Sequence, residues 1–248
     1  MIYIYIYSVC ITRVYHNNNN SNNSNNMKYI EIKEKDNSYS YFYYIPHFLD
    51  KEYVRILTLW LDKMDDFKCN TNYNEDRVIR YQKWYQAQQR YFCNQWVVKY
   101  NRWNAFSYDN TLQQLEDYIR NKLIQDGYDT LGIDIPSINS VLIQKYMDGS
   151  QYISAHRDTD MSFGHTPTIL NISLGDSRDI IFKRVMYNGS NKKMSKLDKK
   201  HSHLNMKFTL EKGSLLIMAG NSQKYWTHQI NREQNKTKRY SLTFRELL

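Results

Sequence analysis

Between positions 48 and 64, apolar side chains fall at Tyr53, Ile56, Leu57, Trp60, Leu61 and Met64. That spacing of three, four and seven residues marks one face of a helix, and Asp50 stands where a carboxylate caps a first turn. A second helix is predicted over 111–125, opened by a capping box of Thr111 and Gln114 and stopped by Gly127. After that the period changes. The stretches 138–146, 168–174, 179–184, 206–210, 214–218 and 239–245 are short, apolar or alternating, and parted by Gly, Asn or Pro turns, so they read as strands. Two helices followed by a run of strands predict an α+β domain whose strand-rich half closes into a barrel or jelly roll.

One of these strands, and a short motif outside them, carry chemistry. In 239–245, period two puts Tyr240, Leu242 and Phe244 on one side and Arg239, Ser241, Thr243 and Arg245 on the other. Either that polar side is washed by solvent, or it lines a barrel interior, where a guanidinium can grip a carboxylate with two parallel hydrogen bonds. His156 and Asp158 are likewise two apart, so on a strand both project to one face. His228, following the strand at 214–218 and a Gly220-Asn221 turn, is the best candidate for a second imidazole. Two His and one carboxylate leave open positions on a metal, which suits non-haem Fe(II) binding a two-pronged cosubstrate and O₂.

Composition narrows the setting. At 248 residues and 30.0 kDa, with 41% hydrophobic and 24% charged residues, the chain fits one soluble domain. Asn, with Ser21 and Ser24, fills 17–26; residues 1–26 read as a disordered extension, Met27 as a second possible start, and 27–248 as the domain. Cys10, Cys69 and Cys93 are odd in number and far apart, which argues against a disulfide scaffold and for a reducing intracellular compartment. No apolar run is long enough for a membrane helix, and the opening residues lack the basic start of a signal peptide. The net charge of +9 favours polyanionic partners. Much of it sits in 183–212, where nine Lys and Arg face two acids.

Taken in order, the motifs resemble a family. Gln-Lys-Tyr-Met-Asp-Gly at 144–149, His-Arg-Asp at 156–158, Ser-Leu-Gly at 173–175, Gly-Ser-Leu-Leu-Ile-Met at 213–218, Trp-Thr-His at 226–228 and the last strand are similar to the catalytic core of AlkB-like Fe(II)/2-oxoglutarate dioxygenases. A looser likeness reaches upstream to Tyr44-Ile45-Pro46 and to Trp84-Tyr85. The resemblance implies a double-stranded β-helix, or jelly roll, with flanking N-terminal helices, a nucleotide-recognition lid over about 77–108 and a core over about 138–248. It implies iron held by His156, Asp158 and His228. Arg239 would take the far carboxylate of 2-oxoglutarate with Tyr146, while Gln144, Thr243 and Arg245 complete that pocket. The implied reaction is oxidative dealkylation of N-alkylated bases in DNA or RNA, with DNA alkylation repair as the implied role. This chain departs from the pattern at Gln144 and Ser241, where Asn is common, and its gap from His228 to Arg239 is one residue short.

The substrate side is read from 81–108, where ten of 28 residues are aromatic, four are basic and none is acidic. Such a segment either packs a sheet or stacks on a flipped base while its cations follow phosphate. Trp84 and Tyr85 are the candidate substrate contacts, with Asp160 for an exocyclic amino group and Arg178 either in the pocket or paired with Asp179. Lys192, Lys193, Lys196, Lys199 and Lys200 are expected on an exposed loop, as phosphate contacts or as a solvated charge run. His201 and His203 are expected in solvent. The rival readings are an RNA-mark demethylase, a protein hydroxylase, or a non-catalytic nucleic-acid-binding module. A monomer with no obligate protein partner is expected.

Overall fold

In a computed structural model, the described residues are 10–16, 27–71, 77–87, 105–127, 137–158, 160–187 and 196–247, without the side chains of 10–16, 68–71, 77–79, 160 and 161. Along the chain these form β1 (Cys10–His16), β2 (Lys28–Lys33), β3 (Tyr39–Ile45), α1 (Lys51–Lys63), β4 (Lys68–Thr71), β5 (Arg77–Gln86), β6 (Phe106–Ser107) and α2 (Asn110–Gln125). Then follow β7 (Ser140–Tyr146), β8 (Ile153–His156), α3 (Asp160–Phe163), β9 (Ile169–Gly175), β10 (Arg178–Arg184) and a 3-10 turn (Lys199–Leu204). The chain ends with β11 (Met206–Leu210), β12 (Leu215–Gly220), α4 (Ser222–Tyr225), β13 (Trp226–Ile230) and β14 (Arg239–Arg245).

The strands build two sheets. The larger runs β1-β2-β3-β12-β9-β14-β7-β5-β4, with β6 beside β5, and the smaller runs β11-β10-β13-β8. Alternation along each strand of the larger sheet divides the interior in two. Leu57, Leu61, Leu112, Leu115, Ile119 and Leu123 of the helices pack on its outer face against Ile143, Ile172, Ile217, Leu242 and Phe244. Its inner face meets the smaller sheet, where Phe42 and Phe182 contact edge to face at 4.9 Å and Phe42 and Trp226 at 5.7 Å. Each such fully buried side chain contributes about 1.5–3 kcal/mol. This is the α+β jelly roll expected from the sequence, with both helices preceding the catalytic strands.

Some local expectations are corrected. Asp50 does cap α1, accepting the Tyr53 N–H at 2.7 Å, but Val54 joins Leu57 and Leu61 in the core while Ile56 is 45% exposed. Ile56 lies on the far side of the helix from Val54, two residues or about 200° away. The start of α2 is not a Thr111/Gln114 box. Asp109 caps it, accepting the Leu112 N–H at 2.9 Å, and a carboxylate serves the open N–H groups of a first turn better than a hydroxyl set back by two residues. Gly127 does end it, with φ 76° and its N–H on the Ile124 carbonyl. On the N-terminal side of the Asn tract, β1 pairs antiparallel with β2, whereas the sequence pattern starts the folded part only near residue 28. The tract 17–26, most of the lid (88–104) and 188–195 lie outside the described residues.

Candidate metal and cosubstrate site

In the smaller sheet, register sets His228 of β13 directly opposite His156 of β8, with ring centres 4.2 Å apart. The chain then leaves β8, and Gln223 of α4 accepts the Asp158 backbone N–H at 3.0 Å, pinning the carboxylate beside both rings. Asp158 Oδ1 lies 3.8 Å from His156 Nε2 and 4.0 Å from His228 Nε2. Two ligands each about 2.1 Å from one ion can stand up to about 4.2 Å apart, so these spacings fit a shared metal. The second carboxylate oxygen, Oδ2, takes Arg245 Nε at 2.6 Å. His156 Nδ1 is 2.9 Å from the Ser154 carbonyl, which places a proton on Nδ1 and leaves Nε2 as the lone-pair donor.

The protonation states suit a cation. Burial, with His156 alongside, pushes His228 down to about 3, and burial lowers His156 as well, so both rings are neutral at ordinary pH. Burial by itself would raise the Asp158 carboxyl. The Arg245 guanidinium and the two imidazoles outweigh it and hold the group below the usual carboxylate range. Two neutral imidazoles and a carboxylate are the donor forms a divalent metal needs.

Beside this triad runs the inner face of β14. Flanked on both sides by β9 and β7, β14 is buried along its whole length, so the solvated alternative for its polar face is excluded. Arg239, Ser241, Thr243 and Arg245 form one inward row, ending at Asp158. Arg239 stands opposite Tyr146 and Gly175, its guanidinium 5.2 Å from the Tyr146 ring centre. It is fully buried, gives Nη2 to Ser173 Oγ at 3.0 Å, and leaves Nε and Nη1 without a partner. A buried cation with open N–H groups is a built receptor for an anion. Gly175, at φ 86°, allows the close pass there, because a Cβ would come within 2.4 Å of the Lys238 carbonyl. With its amide assigned from the surrounding network, Gln144 accepts from Arg80 Nε at 2.9 Å, Arg80 Nη2 at 3.2 Å and Gln82 Nε2 at 3.1 Å.

The other expected site residues divide between the inner face and its surroundings. Trp84 shares the inward face of β5 with Arg80 and Gln82, and packs with Leu142 and Phe163. Tyr85, one residue on, points to the helix side, where its hydroxyl reaches Met64 Sδ at 3.5 Å and burial raises its pKa to about 12. Arg178 does not pair with Asp179, which takes Lys207 at 2.8 Å. Arg178 is instead fully buried, bonded to the carbonyls of Gln151 (2.9 Å) and Asn231, and 3.4 Å from Glu233. Its guanidinium also lies 5.8 Å from the Tyr146 ring centre, the ring that Arg239 meets at 5.2 Å, so it stands at the Arg239 end of the row and away from the metal cluster. Asp160 opens α3, but its side chain is outside the described ones. Lys196, Lys199 and Lys200 are exposed; Lys192 and Lys193 lie outside the described residues. His201 is not in solvent: it is buried, with Nδ1 2.8 Å from Asp198 Oδ2. Sequence reasoning also passed over Arg80, Asn171 and Ser173. Their signal was available, since each is in phase with a polar inward row.

The family profile of the 2OG-Fe(II) oxygenase superfamily matches residues 41–245, and the chain belongs to that superfamily, whose cofactors are Fe(II) and 2-oxoglutarate. Within it the chain is AlkB-like. It is 32% identical over 121 residues to the DNA oxidative demethylase ALKBH2 of Arabidopsis thaliana, covering 44% of this chain and 38% of that protein. It is 29% identical over 118 residues to the human ALKBH2, covering 47% and 42%. Against the alpha-ketoglutarate-dependent dioxygenase alkB homolog 3 of Rattus norvegicus it is 29% identical over 110 residues, covering 44% and 35%. The matched stretch therefore spans less than half of each of these relatives. The structure of OsALKBH1 superposes with a TM-score of 0.52 at 15% identity, over 83% of this chain and 97% of that one. The non-heme alpha ketoglutarate dependent epimerase SnoN gives 0.54 at 11% identity, over 82% and 76%, a likeness of fold. Among the described residues, no helix is long and apolar enough to cross a membrane.

Proposed function

We propose that this protein oxidatively removes alkyl groups from the nitrogens of nucleic-acid bases, in the service of DNA repair. One juxtaposition carries the reading: the His156–Asp158–His228 cluster at one end of the row that begins at the open guanidinium of Arg239. His156, Asp158 and His228 would hold Fe(II), and Arg239, whose guanidinium lies over the Tyr146 ring, would hold the far carboxylate of 2-oxoglutarate. Thr243 and Gln144 line the space between, with Gln144 braced by Arg80. Arg245 orients Asp158 and carries positive charge toward the metal-side carboxylate. Bound there, iron and 2-oxoglutarate supply the activation of O₂ that hydroxylates a C–H bond, with succinate and CO₂ as co-products. The chain keeps the cosubstrate dry and aligned.

Nucleic acid as substrate is supported by the names of the curated relatives, DNA oxidative demethylases among them, and by the net charge of +9. Trp84 forms a wall of the base pocket, Asp160 takes an exocyclic amino group, and Lys196, Lys199 and Lys200 lie along phosphate. Tyr85 has no place in the pocket, because it faces the helices. Incubating alkylated DNA and RNA oligonucleotides with the protein, Fe(II), 2-oxoglutarate and ascorbate, followed by digestion and mass analysis, should show loss of alkyl groups matched by succinate. Succinate formation with every alkylated base left intact would remove nucleic acid as the substrate.

A further inference from the structure

Asn171 lies on the inward face of β9, opposite Thr243, and is buried. Its amide sits 2.7 Å from Ser241 Oγ and 2.9 Å from Thr243 Oγ1 through Nδ2, while Oδ1 is buried with no partner. A bare acceptor would thus stand buried beside the strip between Arg239 and Arg245, where the proposed pocket seats a dianion. The two ends of an amide have nearly the same shape, and a hydroxyl can donate or accept. Turned over, the Asn171 amide keeps both contacts: Oδ1 accepts the Ser241 and Thr243 hydroxyl protons. Nδ2 then projects where the unpartnered oxygen stood. One orientation leaves a buried acceptor orphaned and repels an anion; the other offers that anion a donor.

We propose that Asn171 donates an Nδ2–H hydrogen bond to a carboxylate of 2-oxoglutarate, held in that orientation by Ser241 and Thr243. The inference rests on the cosubstrate pocket proposed above. It also accounts for Ser241, which stands where the resemblance leads one to expect an amide. Here the amide comes from β9, the neighbouring strand, and the β14 position supplies the hydroxyl that orients it. Arg245 commits Nε to Asp158, while Arg239 keeps Nε and Nη1 open at the far end of the row, so Asn171 is the amide donor between them.

The test is calorimetric titration of 2-oxoglutarate into the Mn(II)-loaded protein. Asn171→Ser should weaken binding about tenfold or more, the low end for a bond to a charged group (~1.4 kcal/mol). Asn171→Asp, which sets a carboxylate against the anion, should weaken it further, with Mn(II) affinity unchanged in both. The exchange Asn171→Ser with Ser241→Asn should recover binding to within about threefold of the parent. Asn171→Ser binding like the parent, or the exchange failing to improve on it, would overturn the proposal. The parent offers a check that needs no variant to fold. With Zn(II) bound, the Asn171 side-chain amide resonances should shift on adding 2-oxoglutarate; unmoved resonances with ligand bound would also overturn it. A parent that binds no 2-oxoglutarate, or an Arg239→Ala variant that binds it normally, sinks the pocket reading itself and this inference with it.

Discussion

Replacing Arg239 with Met should make the unliganded protein more stable and its hold on 2-oxoglutarate far weaker. The guanidinium is fully buried, bonded to Ser173 Oγ at 3.0 Å, with Nε and Nη1 unpartnered. Burial pulls its pKa below the usual arginine range, which means that the fold pays for the charge. Each buried donor left unmade costs about 1–3 kcal/mol. The Tyr146 ring beneath the cation returns about 0.5–2 kcal/mol. Met has similar reach and no donors, so the exchange should gain about 1–2 kcal/mol, or roughly 2–8 °C in Tm at this chain length. Losing the partner of a charge-assisted carboxylate contact costs about 2–5 kcal/mol, at least about 30-fold in affinity. Thermal unfolding without ligand and 2-oxoglutarate titration into the Mn(II) form measure the two effects separately. A variant that melts lower and still binds within about threefold of the parent would show that the guanidinium is structural, and the cosubstrate assignment would fall.

His228→Ala should abolish metal binding and succinate formation with the far-ultraviolet spectrum unchanged; normal turnover would mean that a different side chain completes the metal set. Arg245→Gln removes the bond that fixes Asp158 Oδ2, and should lower Mn(II) affinity by about 10–100-fold, read by paramagnetic titration. Changing Lys196, Lys199 and Lys200 to Gln should reduce the slope of log affinity against log salt by about 0.7–0.9 for each phosphate no longer neutralised; an unaltered slope returns these lysines to plain solvation. Asp198 is a case of pH linkage. Burial raises its carboxyl, but the His201 hydrogen bond and charge prevail and hold it below the ordinary value. Its stabilisation is therefore complete above the unfolded carboxylate pKa of about 4 and is lost as pH falls through the depressed folded value. Asp198→Asn should flatten the acid limb of Tm against pH, and an acid limb as steep as the parent's would contradict this.

Much of the site was legible because it follows a strand's period of two. The row Arg239, Ser241, Thr243 and Arg245 is phased by local geometry that any strand imposes, whereas Asp158 lies beyond the end of β8 and is held by Gln223, and the order of the motifs carried the family. The same rule put Trp84 and Tyr85 on opposite faces of one strand, but it could not say which face was inward. The register of β5 against β7, a partner more than fifty residues away, chose Trp84. Whether the polar side of β14 met water was also undecidable locally, since burial came from β9 and β7 closing on both edges. Arg178 reads from the chain as a pocket residue or a partner of Asp179, yet it is buried against carbonyls of two distant loops, at Gln151 and Asn231. His201, by contrast, is bonded to a near neighbour in the chain, Asp198. Periodicity and motif order thus determined which residues share a face and a chemistry. Only the tertiary structure decided which faces are dry, because burial is set by residues far apart in sequence.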